Sequence, residues 1–339
     1  MLYSLARNAL FRLDAEHAHE LTIESFKRFP ALATAPFQCR IPASPVRLMG
    51  LEFPPRVGLA AGLDKNGECI EAWSRLGFGF IEVGTVTPRP QPGNPKPRMF
   101  RLPREQAIIN RLGFNNKGVD YLLKQVARAQ YKGVLGINIG KNADTPIERA
   151  ADDYVLCLRK VYAAASYITV NISSPNTKNL RDLQDEARLE ALLKQLAHER
   201  TELAQHHGRY TPILVKIAPD VSETQISHIA RAARGLGIDG LIATNTTVTR
   251  PQLEHDTIAA QQGGLSGAPL KPLAQETLRK LRAEVGADYP LVGVGGIVSG
   301  ADAAERRLAG ADLVQIYTGF IYRGPGLIAD CARELGKLA

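Results

Sequence analysis

Short, continuously apolar runs that alternate with helical patterns are the feature that most constrains the fold of this 339-residue chain. Because these runs are apolar at successive positions, they are typical of strands buried on both faces of a parallel sheet. Eight runs follow Arg56, at residues 57–60, 80–84, 134–138, 167–171, 213–217, 240–244, 291–295 and 313–317. They extend over about 260 residues, close to the usual length of a (β/α)8 TIM barrel. A doubly wound open sheet is the alternative, because alternation alone does not show that a sheet closes.

Two helices of the predicted barrel carry start signals. The segment Thr145-Pro146-Ile147-Glu148 combines a possible N-cap threonine, a proline at the first helical position and a capping glutamate. Ser222-Glu223-Thr224-Gln225 has the same capping box without the proline. A proline-rich segment at 87–97 predicts a stiff excursion after the second strand.

The residues before the barrel predict a short N-terminal extension of two amphipathic helices. The first places Leu2, Ala6 and Leu10 on one side, and the second begins after Asp14, a suitable N-cap residue. We therefore divide the chain into residues 1–42, a helical segment, and residues 43–339, the barrel. The extension is either a helical cap packed on the barrel or an element that lies in a membrane surface, and its sequence favours neither.

Composition excludes several classes of protein and leaves others open. The net charge of +8 is compatible with nucleic acid, anionic lipid or a small acidic substrate. No apolar run reaches the roughly 18 residues of a membrane-spanning helix, and no signal peptide is recognisable. The four cysteines are scattered without a C-x-x-C pair, which fits a reducing cytoplasm, and we expect neither a disulfide framework nor a metal site.

Polar and glycine-rich residues follow most of the predicted strands. In β/α barrels the active site lies at these strand ends, so we expect the side chains to converge on one cavity. Gly293-Val294-Gly295-Gly296 and Tyr317-Thr318-Gly319 end the last two strands, where barrels often bind phosphate through backbone N–H groups. A ligand that carries a phosphate is therefore expected.

Ten ordered motifs resemble those of the dihydroorotate dehydrogenase family. They are GLAAGLDKNGE (58–68), EVGTVTPRPQPGNPKPRMFRL (82–102), NRLGFNNKG (110–118), GINIGKN (136–142), NISSPNT (171–177), KIAPD (216–220), ATNTT (243–247), GGLSG (263–267), GVGGI (293–297) and QIYTGF (315–320). The resemblance extends over essentially the whole chain and implies oxidation of (S)-dihydroorotate to orotate in pyrimidine biosynthesis.

The resemblance also implies a bound FMN and assigns residues to it. The implied flavin-binding residues are Ala61, Gly62, Leu63, Asp64, Lys65, Thr85, Asn138, Asn171, Lys216, Thr244, Gly267, Gly296, Tyr317 and Thr318. The implied substrate-binding residues are Lys65, Asn110, Arg111, Leu112, Gly113, Phe114, Asn171, Asn176, Asn245 and Thr246. Lys216 is expected beside the flavin, where a cation stabilises the charge that develops on reduction.

Ser174 is the catalytic base that the resemblance implies. It would remove the C5 proton of dihydroorotate, helped by exclusion of water and by Thr177 and Phe114. The soluble class of the family has cysteine here, so the serine and the helical extension together indicate the quinone-dependent class. The histidines, including His255 in a long loop, lie on predicted helices or surfaces and suggest no alternative base.

In the quinone-dependent class, the extension would form an apolar passage from the bilayer to the flavin. Arg101 is a candidate for a position near the quinone. The resemblance thus implies a bacterial protein attached peripherally to the cytoplasmic side of the inner membrane, with no nucleic-acid partner. Two alternatives remain: a flavin-dependent tRNA-dihydrouridine synthase, and a non-catalytic barrel that binds lipid surfaces.

Overall fold

The computed structural model describes residues 2–251, 253 and 257–338. Their strands are β1 Val46–Leu48, β2 Leu51–Phe53, β3 Val57–Leu59, β4 Phe80–Val86, β5 Met99–Leu102, β6 Ala107–Asn110, β7 Val134–Ile139, β8 Tyr167–Asn171, β9 Ile213–Ile217, β10 Gly240–Ala243, β11 Gly264–Gly267, β12 Leu291–Val294 and β13 Leu313–Ile316. Their α-helices are α1 Leu2–Leu10, α2 Ala15–Arg28, α3 Pro30–Thr34, α4 Ile70–Arg75, α5 Val119–Ala129, α6 Ala150–Val161, α7 Glu186–His207, α8 Glu223–Gly235, α9 Lys271–Val285, α10 Gly300–Leu308, α11 Thr318–Arg323 and α12 Gly326–Gly336.

Eight strands form a closed parallel barrel in the order β3-β4-β7-β8-β9-β10-β12-β13. The last strand returns to the first, with Val314 paired to Val57 and Ile316 to Leu59. Every residue of β4, β7, β8 and β9 is buried, as continuous apolar runs predict. The (β/α)8 TIM barrel is confirmed, with observed strand ends within two residues of those predicted, and the open doubly wound sheet is wrong.

The N-terminal end of the barrel is closed by the antiparallel hairpin of β1 and β2, which the sequence did not suggest. Its Phe53 is fully buried and packs edge-to-face on Phe80 at the start of β4, with ring centroids 5.2 Å apart. Such aromatic pairs add to the stabilisation from buried area. Since this end is filled with apolar side chains, any ligand cavity must lie at the opposite, C-terminal end.

A second small sheet lies at the C-terminal end of the barrel. The proline-rich segment 87–97 leads from β4 into β5, and β5, β6 and β11 form an antiparallel sheet in the order β11-β6-β5. Within it, Gly264 pairs with Asn110 and Gly267 with Ala107. The predicted excursion therefore continues into a three-stranded structure that brings chain from two distant segments to the mouth of the barrel.

The N-terminal extension packs on the barrel beside α4 and α11. The Asp14 carboxylate caps α2 as predicted, since it accepts backbone hydrogen bonds from Glu16 and His17, both at 3.0 Å. The hydroxyl of Tyr3 donates to the carbonyl of Ile321 at 2.7 Å. Beyond the two predicted helices, the extension contains the short α3. Within the described residues, none of the helices combines the length and the apolar composition that crossing a bilayer requires.

Of the two predicted capping boxes, one is confirmed and one is wrong. The Ser222 and Gln225 side chains cap α8 reciprocally. The Thr145 hydroxyl instead donates to the Asp153 carboxylate at 2.7 Å, and a 3₁₀ turn at Ile147–Arg149 precedes α6. Pro146, and not Thr145, is therefore the residue that precedes the first turn, and no side chain caps it.

Candidate active site

A cavity of about 960 Å³ opens at the C-terminal end of the barrel, where the residues that follow the strands meet. Eleven of the predicted flavin-binding residues line it: Ala61, Gly62, Lys65, Thr85, Asn171, Lys216, Thr244, Gly267, Gly296, Tyr317 and Thr318. So do Ser174 and nine predicted substrate-binding residues, which are Lys65, Asn110, Leu112, Gly113, Phe114, Asn171, Asn176, Asn245 and Thr246.

Four predicted site residues do not line this cavity: Leu63, Asp64, Asn138 and Arg111. The Asp64 carboxylate accepts hydrogen bonds from two backbone N–H groups of its own loop and from the Trp73 indole at 3.2 Å, so it stabilises the turn into α4. Arg111 donates to the Gln261 side chain at 2.9 Å. Leu63 faces a neighbouring cavity, and Asn138 lies beneath the site.

A chain of hydrogen bonds runs beneath and along the cavity. The Thr85 hydroxyl donates to Asn138 Oδ1 at 2.6 Å and accepts from Asn171 Nδ2 at 2.9 Å. Asn171 Oδ1 accepts from the Ser173 hydroxyl at 3.0 Å and from Asn245 Nδ2 at 3.3 Å. Side chains from β4, β7, β8 and the end of β10 are thus held in one network, which fixes the positions of their amide groups.

Ser174 lies on the loop after β8, where its side chain lines the cavity and is 5% exposed. Its oxygen accepts a hydrogen bond from the backbone N–H of Asn176 at 3.2 Å. No imidazole or carboxylate of the described residues hydrogen-bonds to this hydroxyl, so these residues form no serine-histidine triad with it. The buried hydroxyl of Thr177, on the same loop, has no hydrogen-bond partner in the described part of the chain. Both hydroxyls are therefore available to handle a proton.

Two lysines supply the positive charge of the cavity. Burial lowers the pKa of Lys65 to about 8, with a further contribution from Arg98, while Glu16 opposes the shift. Burial also lowers the pKa of Lys216, and the charge of Glu82 opposes that shift. Neither lysine forms a salt bridge within the described residues, and Lys65 donates instead to Asn115 Oδ1 at 2.7 Å. Lys216 is buried and Lys65 is half-buried, and cations without a carboxylate partner in such positions favour an anionic ligand.

Glycines after β12 and β13 let the backbone segments at this end of the barrel pack closely together. A Cβ on Gly296, which has φ of +74°, would lie 2.3 Å from the Cα of Lys271. A Cβ on Gly319 would lie 1.9 Å from the carbonyl oxygen of Ile297. The Thr318 hydroxyl donates to or accepts from Ser266 at 2.8 Å beside them. The close backbone approach and the nearby hydroxyls fit the phosphate group of a nucleotide cofactor.

A second cavity, of about 1330 Å³, lies between the extension and the barrel. Its lining is mostly apolar and comes from α1, α2, α4 and α11, with Leu63 and Tyr317 from the barrel mouth. Tyr317 lines both cavities, so they meet at this ring. The extension therefore encloses an apolar space that leads to the polar site.

Polar side chains are few in this second cavity. Arg101 lines it, lies over the Phe11 ring at 4.6 Å and donates to the carbonyl of Leu13. His19 also faces the cavity, where burial lowers its pKa to about 4 and keeps it neutral at pH 7. His19 lies on a helix as predicted, and His255 lies outside the described residues.

Sequence reasoning missed Glu82, a fully buried carboxylate inside the barrel. It accepts hydrogen bonds from Asn138 Nδ2 at 2.8 Å, the Tyr167 hydroxyl at 2.9 Å and Gln315 Nε2 at 2.7 Å. A signal was present, because an acidic residue interrupts the otherwise apolar first half of β4. Buried charges are rare without partners, so such an interruption indicates a specific polar contact.

Comparison with known proteins identifies close relatives over the whole chain. The sequence model of the family described as "Dihydroorotate dehydrogenase" matches residues 44–338. A "Dihydroorotate dehydrogenase (quinone)" of Chromobacterium violaceum is 59% identical over 338 residues, which are 99% of this chain and 98% of the relative. One of Alkalilimnicola ehrlichii is 58% identical over 336 residues, 98% of this chain and 99% of the relative.

Solved structures give the same result. The dihydroorotate dehydrogenase of Eimeria tenella in complex with ferulenol superposes with a TM-score of 0.87 at 36% identity, covering 95% of this chain and 90% of that one. The ligand-free form from the same organism gives 0.85 at 39% identity, with 93% of each chain covered. The resemblance expected from the ten motifs is confirmed.

Proposed function

Because the chain belongs to the dihydroorotate dehydrogenase family, we propose that it oxidises (S)-dihydroorotate to orotate with a bound FMN and passes the electrons to a quinone. The observation that carries the proposal is a polar cavity, lined by the cations Lys65 and Lys216, that meets an apolar cavity at Tyr317. An anionic pyrimidine fits the first cavity and a lipophilic electron acceptor fits the second.

The residues of the polar cavity fit FMN. The glycine cradle around Gly296 and the hydroxyl of Thr318 would hold its phosphate, and Lys216 would lie by the ring edge that becomes negative on reduction. Thr85 and Asn171 would hydrogen-bond the ring system. When bound, FMN supplies the hydride acceptor at N5.

The substrate would lie against the asparagines of the cavity and Lys65. Asn110, Asn176 and Asn245 each offer a donor and an acceptor, which suits the amide edges of a dihydropyrimidine. Protonated Lys65 would pair with the substrate carboxylate. Ser174 would take the C5 proton while the C6 hydride leaves, so that the substrate loses one proton and one hydride and gains the C5–C6 double bond.

The extension would admit the quinone and attach the protein to a membrane surface. Leu2, Leu5, Leu21, Phe29 and Leu32 are exposed large apolar side chains on or next to its helices. Side chains of this kind enter the interface of a bilayer without spanning it. Residues 1–42 would therefore act as the quinone-access segment at the cytoplasmic face of the inner membrane.

The alternatives have less support. A tRNA-dihydrouridine synthase needs an RNA-binding appendage, and the described residues form none beyond the barrel and its helical extension. An inert lipid-binding barrel leaves the two lysines of the cavity and the network of asparagines without a role, although such groups are costly to bury.

A visible spectrum of the purified protein tests the proposal. We expect a flavin band that dihydroorotate bleaches anaerobically and that a quinone restores faster than fumarate or NAD does. A protein that does not take up FMN, or a flavin that dihydroorotate leaves oxidised, would contradict it. Restoration by fumarate or NAD alone would refute only the quinone assignment.

A further inference from the structure

Glu82 lies at the buried end of the hydrogen-bond chain that lines the active site. Its side chain is inaccessible to solvent, and donors from β7, β8 and β13 converge on its two oxygens. Oε1 accepts from Asn138, and Oε2 accepts from Tyr167 and Gln315. The charge on Glu82 also opposes the lowering of the Lys216 pKa that burial causes. An ionised carboxylate is an acceptor only, so all three partners must present a donor to it.

That constraint fixes the orientation of each group that follows. Asn138 must turn its NH₂ to Glu82, which leaves its Oδ1 for the Thr85 hydroxyl. Thr85 has then used its proton, so its oxygen can only accept from Asn171, which must offer NH₂. Asn171 Oδ1 is thereby directed towards Ser173 and Asn245.

Asn245 is the last residue of this chain of hydrogen bonds, and it lies where the substrate is proposed to bind. Asn245 offers its NH₂ to Asn171 and to the Ser173 hydroxyl, at 3.3 and 3.0 Å, and its Oδ1 accepts from the backbone N–H of Thr246 at 2.8 Å. An asparagine amide is nearly symmetric in shape, so packing alone does not choose between its two orientations. Glu82, which only accepts, fixes one end of the chain of hydrogen bonds. Backbone N–H groups, which only donate, fix the other end: that of Ser173 donates to Asn171 Oδ1 at 3.2 Å and that of Thr246 to Asn245 Oδ1.

We propose that Glu82 is a positioning residue that, through Asn138 and Thr85, sets which ends of Asn171 and Asn245 present donors and which present acceptors to the ligands of the cavity. The inference rests on the proposed function, since it assumes that these asparagines contact FMN or the pyrimidine. Glu82 itself lines neither ligand cavity.

Glu82→Gln is the first variant, because it keeps the size of the side chain and replaces one acceptor by a donor. The new NH₂ faces the Asn138 amide, which must then invert or lose a hydrogen bond, unless both the Tyr167 hydroxyl and the Gln315 amide reverse to accept it. We expect orotate affinity, measured by perturbation of the flavin spectrum, to fall by about tenfold or more. The affinity of the apoprotein for FMN, measured by quenching of flavin fluorescence, should also fall.

The double variant Glu82→Gln/Asn138→Asp separates orientation from packing. In it the new amide at position 82 donates its NH₂ to the new carboxylate at position 138, and its oxygen accepts from Tyr167 and Gln315. That carboxylate still accepts from Thr85, so the downstream direction is restored and most of the lost orotate affinity should return. Asn138→Asp alone places the carboxylates of residues 82 and 138 together. It should bind orotate more weakly than Glu82→Gln or the double variant. A purely structural role for Glu82 predicts that the two losses add.

Thr169→Val is the matched control, because Thr169 is a fully buried barrel residue whose hydroxyl has no partner in the described part of the chain. It should leave both affinities unchanged. Thr85→Val breaks the chain without disturbing the carboxylate. Because Thr85 is itself proposed to contact FMN and not orotate, orotate affinity is the readout for this variant, and it decides the question if the Glu82 variants do not fold. Unchanged orotate affinity in Thr85→Val or Glu82→Gln, or no recovery in a folded double variant, would overturn the inference. A wild-type protein that binds no FMN would instead refute the proposed function.

Discussion

The ion pair of Glu16 and Arg98 should hold the extension on the barrel, and replacing Glu16 by glutamine tests this. Arg98, just before β5, donates to the Glu16 carboxylate through Nε at 3.1 Å and Nη2 at 2.7 Å, and both side chains are less than a tenth exposed. Removing one partner of such a pair leaves a buried charge and costs about 3–5 kcal/mol. The carbonyls of Pro92 and Asn94 still accept from Nη1, both at 2.7 Å, which places the loss at the lower end.

The expected loss converts into a measurable change of Tm. With about 2.1 cal/mol/K of unfolding entropy per residue, a loss of about 3 kcal/mol in a chain of 339 residues lowers Tm by about 4 °C. Glu20→Gln is the matched control, because Glu20 lies on the same helix and pairs with Lys96 from the same loop at 2.8 Å, but both side chains are more than half exposed. Exposed pairs contribute about 0–1 kcal/mol, so this variant should change Tm by about 1 °C or less.

The effect of Glu16 should depend on pH in a defined direction. Burial raises the pKa of Glu16, but the hydrogen bond and charge of Arg98 outweigh it and hold the pKa below the ordinary value of 4.5. The stabilisation is therefore present above pH 4.5 and is lost as the pH falls through the lowered pKa. Calorimetry at pH 7 and pH 4 measures this effect, and the Tm difference between the wild type and Glu16→Gln should be smaller at pH 4. Equal Tm changes for the Glu16 and Glu20 variants at pH 7 would refute the argument. Quinone reduction should fall in Glu16→Gln while flavin reduction by dihydroorotate is retained.

Three further predictions concern the chemistry and the membrane surface. Ser174→Ala should retain FMN but reduce the rate of flavin reduction by about a hundredfold or more, and stopped-flow absorbance showing a wild-type rate would exclude Ser174 as the base. The affinity for orotate should fall up to about tenfold per pH unit above the Lys65 pKa of about 8. Lys65→Met should bind orotate weakly, with an affinity that does not fall in this way as the pH rises. If the affinities of the wild type and the variant change equally with pH, the role of Lys65 is contradicted. Replacing Leu5 and Leu32 by glutamate should reduce cosedimentation with liposomes, and an unchanged bound fraction would assign these side chains to another surface.

The barrel could be predicted because its signal is local. A strand that is buried on both faces must be apolar at successive positions, and eight such runs with helices between them leave few architectures. The polar residues at the strand ends could be assigned to one cavity for the same reason, since parallel strands place their carboxyl ends together. Neither inference required knowledge of which side chains touch.

The remainder depends on contacts between distant parts of the sequence. Nothing in β4 alone indicates that Glu82 receives a donor from Gln315, because that contact joins residues 233 positions apart and depends on barrel closure. The capping box at Thr145 was wrong because a 3₁₀ turn precedes α6, so that Pro146 takes the N-cap position and the Thr145 hydroxyl donates to Asp153. Local patterns specify what a residue can do, and tertiary neighbours decide which option is realised.

The apolar cavity shows how the two parts of the chain depend on each other. Neither the extension nor the barrel mouth encloses a space alone, and α1 has no fully buried residue. Tyr3 reaches the carbonyl of Ile321 across 318 positions, so the first helix is held by one of the last elements of the barrel. Tyr317 is placed between the two cavities because the last strand pairs with the first and brings α11 against the extension. Closure of the barrel therefore determines both where an anionic ring can bind and where an apolar acceptor can approach it.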